Sequence, residues 1–319
     1  MTSTLEAKAR QEQRTQNPDI YYYSEIGSLL DGLSLANLHI DDRLFLKYLK
    51  NCVLEKRIDV PQLPLVVLRI NKMISQPNVT MKELSEAVKS DQKLALRILG
   101  MANAAAFGSQ KTTSLELALA RIGLKSLRGV VMASVMKAKV LKNKEFNQLS
   151  LLVWFHCFAT GMLAERFSRY LRLYTDTAFL TGFFHDVGKL VILNMIDELQ
   201  RSKPDRELKL TLNQVHKVYQ LVHPHVGALV TALNGLAPEI TAAIEDHHNG
   251  DITAPPLSVA LQFINQAVHA VLDQKVPLDE VLAFAERQRL PLPALMIKKT
   301  LREFVTDYQQ EKAKLLSLM

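Results

Sequence analysis

Cysteine is scarce, with only Cys52 and Cys157 among 319 residues. Two are too few for a disulfide framework, and both fall in apolar helical patterns where a reduced thiol packs as a small hydrophobe. A reducing, cytoplasmic setting is the expectation. Glycine and proline are sparse too, at 12 each, and no serine- or glutamine-rich tract follows the first residues. That excludes long linkers and low-complexity disorder. The chain has no sustained apolar/polar alternation bounded by hairpin turns, so strands are not expected. It also lacks a basic segment followed by a signal-type apolar core. The most apolar stretch, residues 178–196, is interrupted by His185, Asp186 and Lys189, where charge is most costly in lipid. It reads as a buried helix, and no membrane association is expected.

What is present is an ordinary globular composition, 48% hydrophobic and 22% charged, with a net charge of +7. The charge is uneven. Arg121, Lys125, Arg128, Lys137, Lys139, Lys142 and Lys144 fall in one stretch with no acidic residue. Two readings stand: a solvated helix face, or a footprint for an anionic ligand or partner centred on Arg121, Lys125 and Arg128. Zinc-finger spacings, RNA-binding aromatic motifs and Walker-type glycine loops are all missing, so nucleic acid is not an expected partner.

Nearly every segment follows the helical period, which predicts an all-α fold. Thr80 with Glu83 and Thr113 with Glu116 have capping-box spacing, while Gly108 and Asn249-Gly250 read as helix stops. Residues 1–18 are polar and close on Pro18, giving a loose or marginally helical tail. The predicted organisation is a tail and helical lead-in over 1–54, a two-lobed helical body over 55–265 (lobes 55–140 and 150–265), and a C-terminal helical extension over 266–319. The apolar C-terminal helix and the helix around Phe45 and Tyr48 could support a homodimer.

The chemistry lies in the second lobe. His185-Asp186 sits inside Phe183-Phe184-His185-Asp186-Val187-Gly188-Lys189, and a charged pair buried among such residues needs a metal, a basic partner or dense hydrogen bonding. If both residues are helical, their side chains point about 100° apart and can reach one ion across the helix face. His156 lies mid-helix in an apolar context, His223 precedes Pro224 at a predicted helix start, and His247-His248 closes another helix. Any one of these suits a satisfied core histidine. Together with Asp186 they suit a metal site, because imidazole and carboxylate are the ligands such sites use.

His156, His185-Asp186, His223 and His247-His248 occur in the order seen in HD-superfamily phosphohydrolases and their HD-GYP relatives. Leu63-Pro64, the stretch LALRILGMANAAAFG over 94–108 with its asparagine-centred helix end at Asn103, and LELALARIGLKSLR over 115–128 resemble the HDOD domain, a bacterial signalling module. The resemblance covers roughly residues 58–255. It implies an HD-like second lobe and a divalent metal site (Mn, Fe, Zn or Mg) formed by His156, His185, Asp186, His223, His247, His248 and Asn265. Asn265 stands where catalytic relatives place an aspartate, and Leu152 where dinuclear relatives place a carboxylate. The set offers one formal negative charge, which predicts weak or no metal binding and disfavours two ions.

The implied role is a regulatory protein with a degenerate metal site serving as scaffold or ligand sensor, partnered by signalling proteins or a nucleotide-like ligand. The alternative is a metal-dependent phosphohydrolase of nucleotides, cyclic dinucleotides or phosphoesters. In that case His185, Asp186 and Lys189 carry the chemistry, with Asn265, Glu245 or Asp246 completing the shell. Lys189 would steady an anionic substrate or pair with Asp186.

Overall fold

The computed structural model describes residues 12–14, 16–33, 38–103, 111–139, 147–203, 210, 212–248 and 254–316. Among the described residues there is no strand, and the fold is all-α. In chain order the helices are α1 (Pro18–Asp31), α2 (Ile40–Leu54), α3 (Leu65–Ile74), α4 (Met81–Lys89), α5 (Gln92–Ala102), α6 (Leu115–Lys139), α7 (Asn147–Ser168), α8 (Thr175–Phe184), α9 (Val187–Arg201), α10 (Leu212–Leu233), α11 (Pro238–Glu245) and α12 (Pro256–Val268). A π-helical turn, His269–Asp273, follows, and then α13 (Leu278–Arg287) and α14 (Ala294–Leu316).

Helices α3, α4 and α5 pack on α6, whereas α7 to α12 pack on one another and carry or flank His156, His185, His223, His247 and His248. The lead-in joins the second group, with α1 along α10 and α2 against α9. The C-terminal α14 lies across both α6 and α7. Phe45, from one of the two helices named above as able to support a homodimer, and Leu315, from the other, are each 2% exposed and buried within the chain. Cys52 and Cys157 are buried and free, as expected.

Local sequence explains most helix ends. Thr80 and Glu83 form a complete capping box, satisfying free backbone donors reciprocally. The predicted box at Thr113 is displaced by one residue: Ser114 Oγ accepts from Leu117 N at 3.3 Å. Three consecutive hydroxyl residues, 112–114, offer rival caps, and Thr112 is already engaged, its Oγ1 accepting from Ser114 N. The helix predicted to run to Gly108 ends at Ala102 with Asn103 as its cap. Asn103 Oδ1 accepts from Thr112 N at 2.7 Å and its Nδ2 donates to Thr112 O at 2.9 Å, clasping the next segment. Gly108 and Asn249-Gly250 lie outside the described residues. Within α6, Gly123 adopts φ 76°, ψ 157° and breaks the helix in two, a conformation open to glycine and strained for other residues.

The largest departure concerns residues 178–196. They form two helices, with His185 ending α8 and Asp186 starting α9. The most apolar window of this stretch is 83% buried inside the protein.

Candidate metal centre

The break between α8 and α9 builds the centre. His185 (φ −56°, ψ −37°) and Asp186 (φ −105°, ψ 10°) are consecutive residues at the junction of two helices, and not neighbours within one continuous helix as the sequence suggested. Opposite them, α9 and α10 approach at Gly188. A Cβ there would run into His223 O and lie 2.8 Å from Gly227 N. This contact brings His223 to the carboxylate. His223 lies inside α10, not at its start, and Pro224 is accommodated within that helix. His247 and His248 follow α11 in a turn, and Asn265 comes from α12.

Asp186 is the hub. Its Oδ1 lies 3.1 Å from His223 Nε2 and 3.7 Å from His247 Nε2. Its Oδ2 lies 3.3 Å from His185 Nε2, 3.8 Å from His156 Nε2 and 2.7 Å from Lys189 Nζ. On the Oδ1 side the imidazoles crowd together, His223 Nε2 standing 3.2 Å from Nε2 of both His247 and His248. On the other side His156 Nε2 meets Asn265 Oδ1 at 2.9 Å. All the residues named from sequence as ligands therefore come to one place. Leu152 is 64% exposed and offers nothing to it.

The donor chemistry fits a metal. Backbone carbonyls only accept, so His185 Nδ1 must donate to Gly182 O (2.8 Å) and His247 Nδ1 to Ile244 O (2.6 Å). Both Nε2 atoms then carry lone pairs into the centre when these imidazoles are neutral, the second-shell pattern that fixes metal-binding tautomers. His185 Nε2 and Asp186 Oδ1 are buried among polar neighbours yet make no well-directed hydrogen bond, an arrangement a cation would satisfy. Two ligand groupings are close enough to hold an ion: His223, His247 and His248, and His156, His185 and Asp186.

Burial favours the neutral form of three imidazoles, pushing His156 down to about 3 and His223 to about 4, and lowering His247 as well. Burial alone would raise Asp186, but His185 and Lys189 outweigh it and hold the carboxyl well below its usual range. Glu245 and Asp246, considered above as completing ligands, face Arg14 at 2.9 and 3.7 Å.

The profile of the HDOD domain matches residues 60–250, more than half of the chain. The chain belongs to the HDOD family. Solved structures share the fold. An HDOD protein of unknown function from Geobacter sulfurreducens has a TM-score of 0.55 at 19% identity, covering 88% of this chain and 98% of that one. A Shewanella amazonensis protein, described as a candidate metal-dependent phosphohydrolase, scores 0.56 at 18% identity over 86% and 99%. A candidate signal transduction protein from Marinobacter aquaeolei scores 0.59 at 17% identity over 95% and 66%. In sequence, the chain is 24% identical over 239 residues to an uncharacterised protein of Treponema pallidum (strain Nichols), with 70% of this chain and 44% of that protein aligned. The chain thus spans less than half the length of this curated relative.

Sequence reasoning missed His269, Asp273 and Arg14. The His269 ring stacks on His156 at 4.4 Å, and its Nδ1 meets Asp273 Oδ2 at 2.9 Å on the π-helical turn. The four-residue spacing from Asn265 to His269 to Asp273 was the available signal. Two of the basic residues, Arg121 and Arg128, are engaged within the chain, and the side chains of Lys137, Lys139, Lys142 and Lys144 lie outside the described residues. Arg121 donates to Ala102 O at 2.9 Å, and Arg128, 3% exposed, lies over the Phe179 ring and pairs with Glu165 at 2.8 Å. The Lys125 side chain lies outside the described residues.

Proposed function

We propose that this HDOD protein is a regulatory module that holds a single divalent transition-metal ion on the Oδ1 side of Asp186 and turns over phosphoesters weakly or not at all. The observation that carries this reading is the 2.7 Å contact of Lys189 Nζ with Asp186 Oδ2. The second ion of a dinuclear site would need that oxygen, and an ammonium already neutralises it. Asn265 adds an oxygen next to His156 but no charge. One divalent ion against one carboxylate leaves a net +1, and the lysine raises it further. His223, His247, His248 and Asp186 provide three neutral nitrogens and one oxygen, a donor set suited to zinc, iron or manganese. When bound, such an ion supplies Lewis acidity and lowers the pKa of a bound water. The regulatory role accords with the candidate signal transduction protein among the structural neighbours, and its partners would be signalling proteins or a nucleotide-like ligand.

Elemental analysis of protein purified without chelator, run beside assays on phosphomonoesters, nucleotides and cyclic dinucleotides, tests the reading. About one ion per chain and no second one, with background hydrolysis, is expected. Robust metal-dependent turnover abolished by Asp186→Ala would overturn it. That outcome would establish the phosphohydrolase reading, which the convergence of both ligand groupings on one carboxylate favours.

A further inference from the structure

The segment ahead of α1 reaches the residues beside the candidate metal centre through Arg14. Residues 12–14 and 16 are helical, and Asn17 N donates to Gln13 O at 3.1 Å, continuing the chain into α1. Because α1 runs along α10, Arg14 arrives at the end of α11. There Arg14 Nη2 meets Glu245 Oε1 at 2.9 Å and Asp246 Oδ1 at 3.7 Å. Arg14 Nε donates to Tyr21 Oη at 3.3 Å, and Tyr21 Oη donates to the same Glu245 oxygen at 3.1 Å. The Glu245 side chain is 2% exposed and that of Arg14 14%.

A carboxylate this deep must be paired to persist as an anion. His225 Nε2 stands 3.7 Å from it, and the adjacent Asp246 carboxylate opposes its charge. Glu245 is the last residue of α11 and lies two positions before His247. The turn carrying His247 and His248 therefore starts from a residue fixed by a cation from the opposite end of the chain. From the α12 side, Gln262 Nε2 reaches Asp246 O at 3.3 Å, so the turn is held from both flanks.

The geometry points to Arg14 as a positioning residue for the three-histidine ligand set: its docking on Glu245 holds the His247-His248 turn in place, and metal occupancy holds Arg14 docked. The inference rests on the metal reading above. Coupling of this kind is reciprocal, so each event strengthens the other by the same factor.

The test uses the full chain with zinc as the probe. Zinc affinity is measured by competition with a chelating dye for the wild type, Arg14→Ala and Arg14→Lys. Arg14→Ala should weaken binding about tenfold, the lower end of what outer-shell substitutions cost, and Arg14→Lys should restore most of it. The double variant Arg14→Ala with Glu245→Gln, which removes the stranded charge, should also recover affinity. In the wild type, saturating zinc should slow trypsin cleavage after Arg14 by up to about the same tenfold. An unchanged or tighter zinc affinity in Arg14→Ala, or a cleavage rate indifferent to zinc, overturns the inference alone. Wild-type protein that takes up no zinc overturns the metal reading and this inference with it.

Discussion

Lys189 Nζ sits 2.7 Å from Asp186 Oδ2, one helical turn beyond it, so the carboxylate at the hub of the centre is already shared with a cation built into the chain. The lysine side chain keeps partial contact with solvent at 23% exposure, while Asp186 is 4% exposed. The pair is thus held from the buried end, and any bound ion competes with it.

Removing that competitor should open the second grouping. Unit charges of like sign about 4 Å apart repel by roughly 4 kcal/mol at an effective dielectric near 20, and solvent at Lys189 reduces this. Lys189→Met is therefore expected to tighten metal binding by about tenfold, or 1.4 kcal/mol, and to permit uptake of a second ion. Zinc or manganese titration followed by elemental analysis reads both effects; unchanged affinity and stoichiometry would contradict the competition.

Asn265→Asp places a charge 2.9 Å from His156 Nε2 without changing side-chain size. It doubles the formal negative charge of the ligand set. Metal affinity should rise by about tenfold or more, and the gain should disappear when His156→Ala is added, a double-mutant comparison that assigns it to this grouping.

Acid should destabilise the metal-free protein. The folded values of His156 (about 3) and His223 (about 4), both lowered by burial, lie below the ordinary imidazole value of 6.5. The unfolded chain therefore binds more protons below pH 6.5, and stability present above that pH is lost as pH falls toward 4. The slope is about 1.4 kcal/mol per pH unit for each histidine kept neutral. Urea midpoints in chelator at pH 7, 6 and 5 should fall in that order, and a midpoint that is flat or rises on acidification contradicts the expectation.

Gly188→Ala and Gly100→Ala form a matched pair inside helices. At Gly188 the added carbon collides with the α10 backbone at His223 and Gly227, while at Gly100 nothing lies within 4 Å. The first should cost about 2–3 kcal/mol, as overpacking does, and weaken metal binding. The second should be neutral or stabilise by up to about 1 kcal/mol. Thermal melts with and without zinc distinguish them.

His156, His185, His223 and His247 were legible because each places a polar ring where an apolar residue would serve the core better. His156 among Trp154, Phe155 and Phe158 is the clearest case. Their geometry was not legible. Residues 178–196 are apolar on nearly all sides because they are buried on nearly all sides, so periodicity carried no trace of the break at His185-Asp186. Pro224 suggested a helix start by its missing N–H, yet packing of α10 against α9 and α11 tolerates it inside. Arg14 was invisible for the opposite reason. A polar tail looks solvated until its distant partner, Glu245, is in place.

His156 and Asn265 are bonded across 109 positions of sequence, and that span fixes when the centre can exist. During synthesis His156, His185, Asp186, His223 and the His247-His248 pair all emerge before Asn265 does. The nascent chain therefore carries an incomplete set of imidazoles until α12 is made and docked. The closed centre is a late event, and its closure marks completion of the histidine-bearing helices.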